Sequence, residues 1–238
     1  KRDWSSDVCS SDLDRSGREA ILKVHAKGKP LGTDIDLGVL AGQTPGFTGA
    51  DLANLINEAA LLTARGGKKT VTMHELEEGI MRVLAGPEKK TRLLSEEERL
   101  ITAYHEMGHA IVGHYLPNCD PVHKISVISR GQALGYTISL PSEDKFLVTR
   151  ASLNDTLAMT LGGRAAEELV FNEITTGASN DIEKVTSTAK AMVMKYGMSE
   201  KLGPRALGHD QSNPFLGRSF GAEADYSQEI AREIDEEI

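Results

Sequence analysis

The chain is poor in cysteine. Cys9 and Cys119 are the only two among 238 residues, in unlike surroundings, and no CxxC occurs. This excludes a disulfide framework and a thiolate-held zinc, and it fits a reducing compartment. Basic residues are outnumbered, 27 Lys and Arg against 35 Asp and Glu, giving a net charge of -8. No phosphate-tracking surface is expected, and no nucleic-acid partner. No apolar run approaches the ~18 residues that a membrane crossing needs, and no secretory signal is recognised. Also missing are a GxxxxGK[ST] phosphate loop and a strand ending in acidic residues to hold Mg²⁺, so the chain by itself is not expected to hydrolyse ATP. What remains, 39% hydrophobic and 26% charged residues, is an ordinary globular composition with length for one large domain or two small ones.

Residues 1–13, "KRDWSSDVCSSDL", have neither helical nor strand periodicity and read as a non-native or disordered tail. From Ser16 to Leu84 short polar joints separate helices. "GREAILKVHAKG" places Ile21, Leu22 and Val24 together before Gly28 and Pro30, and "TGADLANLINEAALLTARGG" repeats Leu52, Leu55, Ile56, Ala59 and Leu62 at helical spacing. Thr72 with Glu75 forms a capping box for a further helix. His25 and His74 read as solvated surface residues. Gly86-Pro87 marks a boundary, and a charged linker leads to a second capping box, Ser95 with Glu98. The helix opened there is expected to stop before Pro117. "VHKISVIS" and "LGYTISL", parted by "RGQA", read as a β-hairpin. Helices follow from about Thr149 to Phe171 and from about Ser179 to Tyr196. Gly197 to Gly221 reads as a long loop, and "AEADYSQEIAREIDEEI" as a helix cut off by a truncated C-terminus. The expected class is mainly α, with one small hairpin.

Three histidines fall within ten residues of "AYHEMGHAIVGHYL". His105 and His109 bracket Glu106 in an HExxH pattern. Residues four apart share a helix face, so both imidazoles can reach one cation. Glu106 projects beside them, where a carboxylate can take a proton from water that the metal acidifies. Ile101, Ala103, Ala110, Ile111 and Val112 read as burying this helix, and a buried His pair beside a carboxylate needs a partner. His114 misses the metzincin spacing by one position and is turned about 140° from His109, so it is not expected to ligate. A downstream carboxylate is required. Glu167 or Glu168 on one helix, and Asp181 in the first turn of another, all qualify, and spacing alone does not choose among them.

At these residues the chain resembles a known family. "YHEMGHAIV", "RGQALGYTISLPSED", "LGGRAAEELVF" and "TTGASNDIEKVT" are similar, in order and spacing, to the peptidase domain of the FtsH family of membrane-anchored, ATP-dependent zinc metalloproteases. "GREAILKVHAKGKPL" and "TPGFTGADLANLINEAALLTARGGKKTV" resemble the helical lid of that family's AAA module. The resemblance covers roughly residues 14–238. It implies a lid at 14–86 and a zinc peptidase domain at 87–238. It further implies Zn²⁺ on His105, His109 and Asp181, with Glu106 as general base and Glu167 or Glu168 orienting a ligating imidazole. The "TGAD" turn, Gly49, Ala50 and Asp51, is implied to lend part of an adenine pocket. "LGYTISLP" is implied to be an edge strand that takes extended substrate. For the parent protein the resemblance implies ATP and Mg²⁺, a homo-hexameric ring, misfolded or unassembled polypeptide substrates, and a place on the cytoplasmic face of a membrane, in protein quality control. Met107 departs from the family's small alanine, and residues 1–13 do not fit the family. Two other readings are a non-catalytic ring-forming scaffold with a structural metal and a stand-alone, ATP-independent metallopeptidase. A His-His-Asp set also accepts cobalt or nickel.

Overall fold

A computed structural model describes residues 13–88, 94–130, 133–141, 145, 147–208 and 226–238. The expectation of a tail at 1–13 therefore falls, but for Leu13, outside the described residues, as does most of the loop expected at 197–221. The chain forms two compact units, Lys1–Glu106 with Asp120–Leu147, and Met107–Cys119 with Val148–Ile238. The class is mainly α, with a single two-stranded sheet among the described residues.

The first unit contains α1 (Arg15–Ala26), α2 (Leu37–Gly42), α3 (Gly49–Arg65), α4 (Met73–Ala85) and the opening of α5 (Glu96–Tyr115). Side chains close the orphan N–H groups at each start. Asp14 accepts from the Gly17 N–H at 2.7 Å. Thr48 and Asp51 cap α3 reciprocally, Thr72 and Glu75 cap α4, and Ser95 and Glu98 exchange the same bonds at α5. Gly86 ends α4 at φ +80°, a conformation that a Cβ would strain. The capping boxes at Thr72 and Ser95 were expected; that at Thr48 and the short α2, opened by Asp36, were not.

Leu22, Leu40, Leu52, Leu55, Ile56, Ala59, Val71, Leu76 and Ile80 form one buried cluster. Each large member contributes about 1.5–3 kcal/mol on leaving water. Leu62 is only half-buried, and Thr63 turns inward instead, donating to the Ala59 carbonyl at 2.8 Å. Gly79 lets α4 approach α3 closely, since a Cβ there would stand 2.9 Å from the Leu55 carbonyl oxygen. Arg18, 2% exposed, is tolerated inside because its guanidinium donates to the Ala41 and Leu13 carbonyls.

Glu75 gives this unit an acid-sensitive joint. The Lys68 ammonium and then the Thr72 hydroxyl, outweighing burial, hold its pKa at about 2 against an ordinary 4.5. A depressed carboxylate stabilises the fold fully above the unfolded value, and that contribution is lost as pH falls from about 4.5 through about 2. With Lys68 itself half exposed, the loss is at most about 3 kcal/mol. Urea unfolding followed by circular dichroism is expected to show this decline between pH 5 and 2, and Glu75→Gln is expected to flatten it. An unchanged slope in that variant would remove the assignment.

Strands β1 (Val122–Ser126) and β2 (Tyr136–Ser139) pair antiparallel, Lys124 opposite Ile138 and Ser126 opposite Tyr136, as the hairpin reading expects. Arg130 fixes the hairpin to α4. Its side chain is fully enclosed and donates to both carboxylate oxygens of Glu78, at 2.7 and 2.8 Å, and to Glu88 at 2.7 Å. It also donates to the Tyr136 hydroxyl and the Gly86 carbonyl. Burial opposes its charge, but Glu78 and Tyr136 more than offset this and raise its pKa.

The second unit contains the remainder of α5, α6 (Arg150–Phe171), a 3₁₀ turn (Thr176–Ala178), α7 (Ser179–Lys190), a π turn (Ala191–Lys195) and α8 (Gln228–Glu237). Thr149 caps α6, and Asn172, left-handed at φ 52°, ends it. The helix expected from Ser179 to Tyr196 widens after Lys190: the Tyr196 N–H bonds the Ala191 carbonyl, five residues back. Val193, Leu202 and Ile234 form a small core that ties α8 in.

Helix α5 runs unbroken and stops at Tyr115, short of Pro117 as expected, but it is not largely buried. Tyr104, Met107 and Ile111 are exposed, Ile111 by 51%. The covered stripe is instead Thr102, His105, Glu106, Gly108, Ala110 and Gly113. Polar and small residues occupy the inward positions, so apolar count misjudged the face. No helix among the described residues is long and apolar enough to cross a membrane.

Candidate metal centre

The site depends on how closely α6 approaches α5. A Cβ on Gly108 would lie 2.2 Å from the Gly162 carbonyl oxygen, and one on Gly162 would lie 2.7 Å from that of Gly108. The two helices thus touch backbone to backbone. This contact brings the Met159 carbonyl to 2.9 Å from His109 Nδ1. A carbonyl only accepts, so Nδ1 carries a proton, and in the neutral ring the lone pair then lies on Nε2. The Gly163 N–H also approaches Nδ1, at 3.3 Å, but a protonated Nδ1 cannot accept from it.

His109 Nε2 faces Asp181 Oδ2 at 3.4 Å, with side chains 12% and 16% exposed. Asp181 lies in the first turn of α7, where the helix dipole favours its charge, and Lys184 stands 3.6 Å from its other oxygen. His105 precedes His109 by one turn on the same unbroken helix. Ligand atoms of His105, His109 and Asp181 all lie within 4.8 Å of one another. Two imidazoles and a carboxylate form a donor set suited to zinc with an open fourth position, and their convergence fits that ion.

Glu106 is 6% exposed, and its Oε2 accepts from the Thr137 hydroxyl at 2.7 Å. Nothing in the sequence reading singled out Thr137. The two glutamates left open by spacing differ in placement. Glu167 is 1% exposed and accepts from the Thr175 N–H, whereas Glu168 is exposed, and neither belongs to the three-residue cluster. For His109 the group on Nδ1 is the Met159 backbone carbonyl, which no sequence pattern displays. His114 is exposed and stacks edge-on with Tyr115. Gly49, Ala50 and Asp51 open α3, where the Asp51 carboxylate accepts from the Thr48 N–H.

Residues 92–238 match the model of peptidase family M41, and residues 34–78 match the AAA+ lid domain. The chain belongs to peptidase family M41. This M41 chain is 76% identical over 225 residues to ATP-dependent zinc metalloprotease FtsH 1 of Conexibacter woesei, covering 94% of this chain and 34% of that protein. It is 63% identical to ATP-dependent zinc metalloprotease FtsH of Rubrobacter xylanophilus, covering 94% of this chain and 35% of that one. The M41 chain therefore spans about a third of the length of these relatives.

Proposed function

We propose that this M41 chain is the lid and peptidase portion of an ATP-dependent, membrane-anchored zinc endopeptidase that degrades misfolded or unassembled proteins. The proposed lid is 14–86 and the proposed peptidase domain 87–238. The observation that carries the reading is the convergence of His105, His109 and Asp181 at the covered stripe of the HExxH helix. These three residues would hold zinc, which supplies Lewis-acid activation of water and of the scissile carbonyl. Glu106 takes the proton of the attacking water and delivers it to the leaving amine. Strand β2 pairs only with β1 among the described residues, which supports its outer edge as the place where an extended peptide adds by backbone hydrogen bonds. Such recognition tolerates varied sequences. ATP and Mg²⁺ binding, the homo-hexamer and the membrane anchor belong to the longer parent, with Gly49, Ala50 and Asp51 lending part of the adenine pocket there.

The zinc-loaded chain is expected to cleave an unfolded protein such as carboxymethylated casein while leaving compact domains intact. A chelator is expected to stop cleavage and added zinc to restore it. A stoichiometrically loaded chain that cleaves no unfolded protein would overturn the reading in favour of a structural metal.

A further inference from the structure

We propose that the opening of strand β2 is the seat of the Glu106 carboxylate, with Thr137 as its positioning residue and Gly135 as the gap that admits it. The inference rests on the reading of Glu106 as the base. Two independent observations meet there. The Thr137 hydroxyl lies 2.7 Å from Glu106 Oε2 and 3.0 Å from the Glu106 carbonyl oxygen. It has one proton to give, and the shorter approach to the charged oxygen marks the carboxylate as its acceptor. On the other side, a Cβ at Gly135 would lie 2.9 Å from Glu106 Oε1, 2.9 Å from its Cγ and 2.7 Å from Thr102 Cγ2. Gly135 has an ordinary backbone conformation, since it is not among the glycines with positive φ. Its lack of a side chain answers to the carboxylate lying against it.

A glutamate side chain has three rotatable bonds and loses alignment readily unless something holds its end. Thr137 pins one oxygen and Gly135 leaves room for the other, so the plane of the carboxylate is set from β2. The strand whose outer edge is offered to substrate also holds the base, and a displacement of β2 would move both together. General-base efficiency depends on hydrogen-bond reach to the water, so a freed carboxylate costs turnover more than substrate affinity.

The test uses the zinc-loaded chain on unfolded casein. Thr137→Val keeps the shape and removes the hydroxyl. Its kcat is expected to fall about tenfold or more, with KM within about twofold and zinc content unchanged. Thr137→Ser is expected to recover most of the rate, and Gly135→Ala to lower kcat as Val does. A second readout needs no metal. In zinc-free protein, the melting-point loss caused by Thr137→Val is expected to shrink by at least half in a Glu106→Ala background. Full activity in Thr137→Val, failure of Ser to rescue, or equal melting-point losses in both backgrounds would overturn the seat. Absence of cleavage by the wild type would overturn the peptidase reading, while the zinc-free comparison still judges the contact.

Discussion

Glu106→Gln is expected to bind zinc as the wild type does and to cleave unfolded protein at least about a hundredfold more slowly. The amide keeps the size of the carboxylate, and its carbonyl oxygen can still accept from Thr137, so the buried position stays filled and hydrogen-bonded. What disappears is the capacity to take a proton from water. General bases of this kind supply about 10²–10⁴ in rate. Metal analysis and single-turnover cleavage on the same preparation separate the two effects. Proteolysis at the wild-type rate by the Gln variant would end the assignment of Glu106 as base, whatever its zinc content.

Asp181→Ala is expected to have the opposite profile, losing metal first and activity as a result. Among the described residues Asp181 is the only carboxylate whose oxygen joins the two imidazole nitrogens within 4.8 Å, and it comes from α7 rather than from the HExxH helix. Its removal leaves a two-histidine site with no anionic ligand. Outer partners of a metal site typically cost 10–100-fold in affinity, and a missing ligand should exceed the upper end of that range, about a hundredfold. The variant should therefore emerge from purification with little zinc while keeping its helical circular dichroism. Equal zinc in wild type and variant would mean that another group completes the site.

Much of this arrangement was legible before any coordinates. Helix starts were readable where capping pairs stand in the sequence, as at Thr72 and Ser95, because a cap is a local interaction between residues three apart. The hairpin was readable from β-rich runs parted by a turn. The buried face of α5 was not, since its inward residues are polar and glycine, and a rule that counts apolar side chains places such a stripe outside. Spacing brought His105 and His109 together but left Glu167, Glu168 and Asp181 level, because all three carboxylates lie on other helices and only tertiary packing decides which of them comes near the imidazoles. Thr137 and the Met159 carbonyl lay beyond reach for the same reason. One is an ordinary strand residue that gains meaning from its neighbour, and the other is backbone, present at every position.

The contact between Gly108 and Gly162 bears on what the HExxH pattern encodes in this chain. Its two unspecified positions differ in kind. Met107 points to solvent, 44% exposed, and can vary with little consequence. Gly108 has no such freedom, because any side chain there would strike the neighbouring helix's backbone. The five-letter signature thus holds four constrained letters and one free one, and the fourth constraint is steric where the other three are chemical. Grafting the His, Glu and His onto another helix would transfer the reactive groups without the bare surface that lets a second helix draw close enough to aim them.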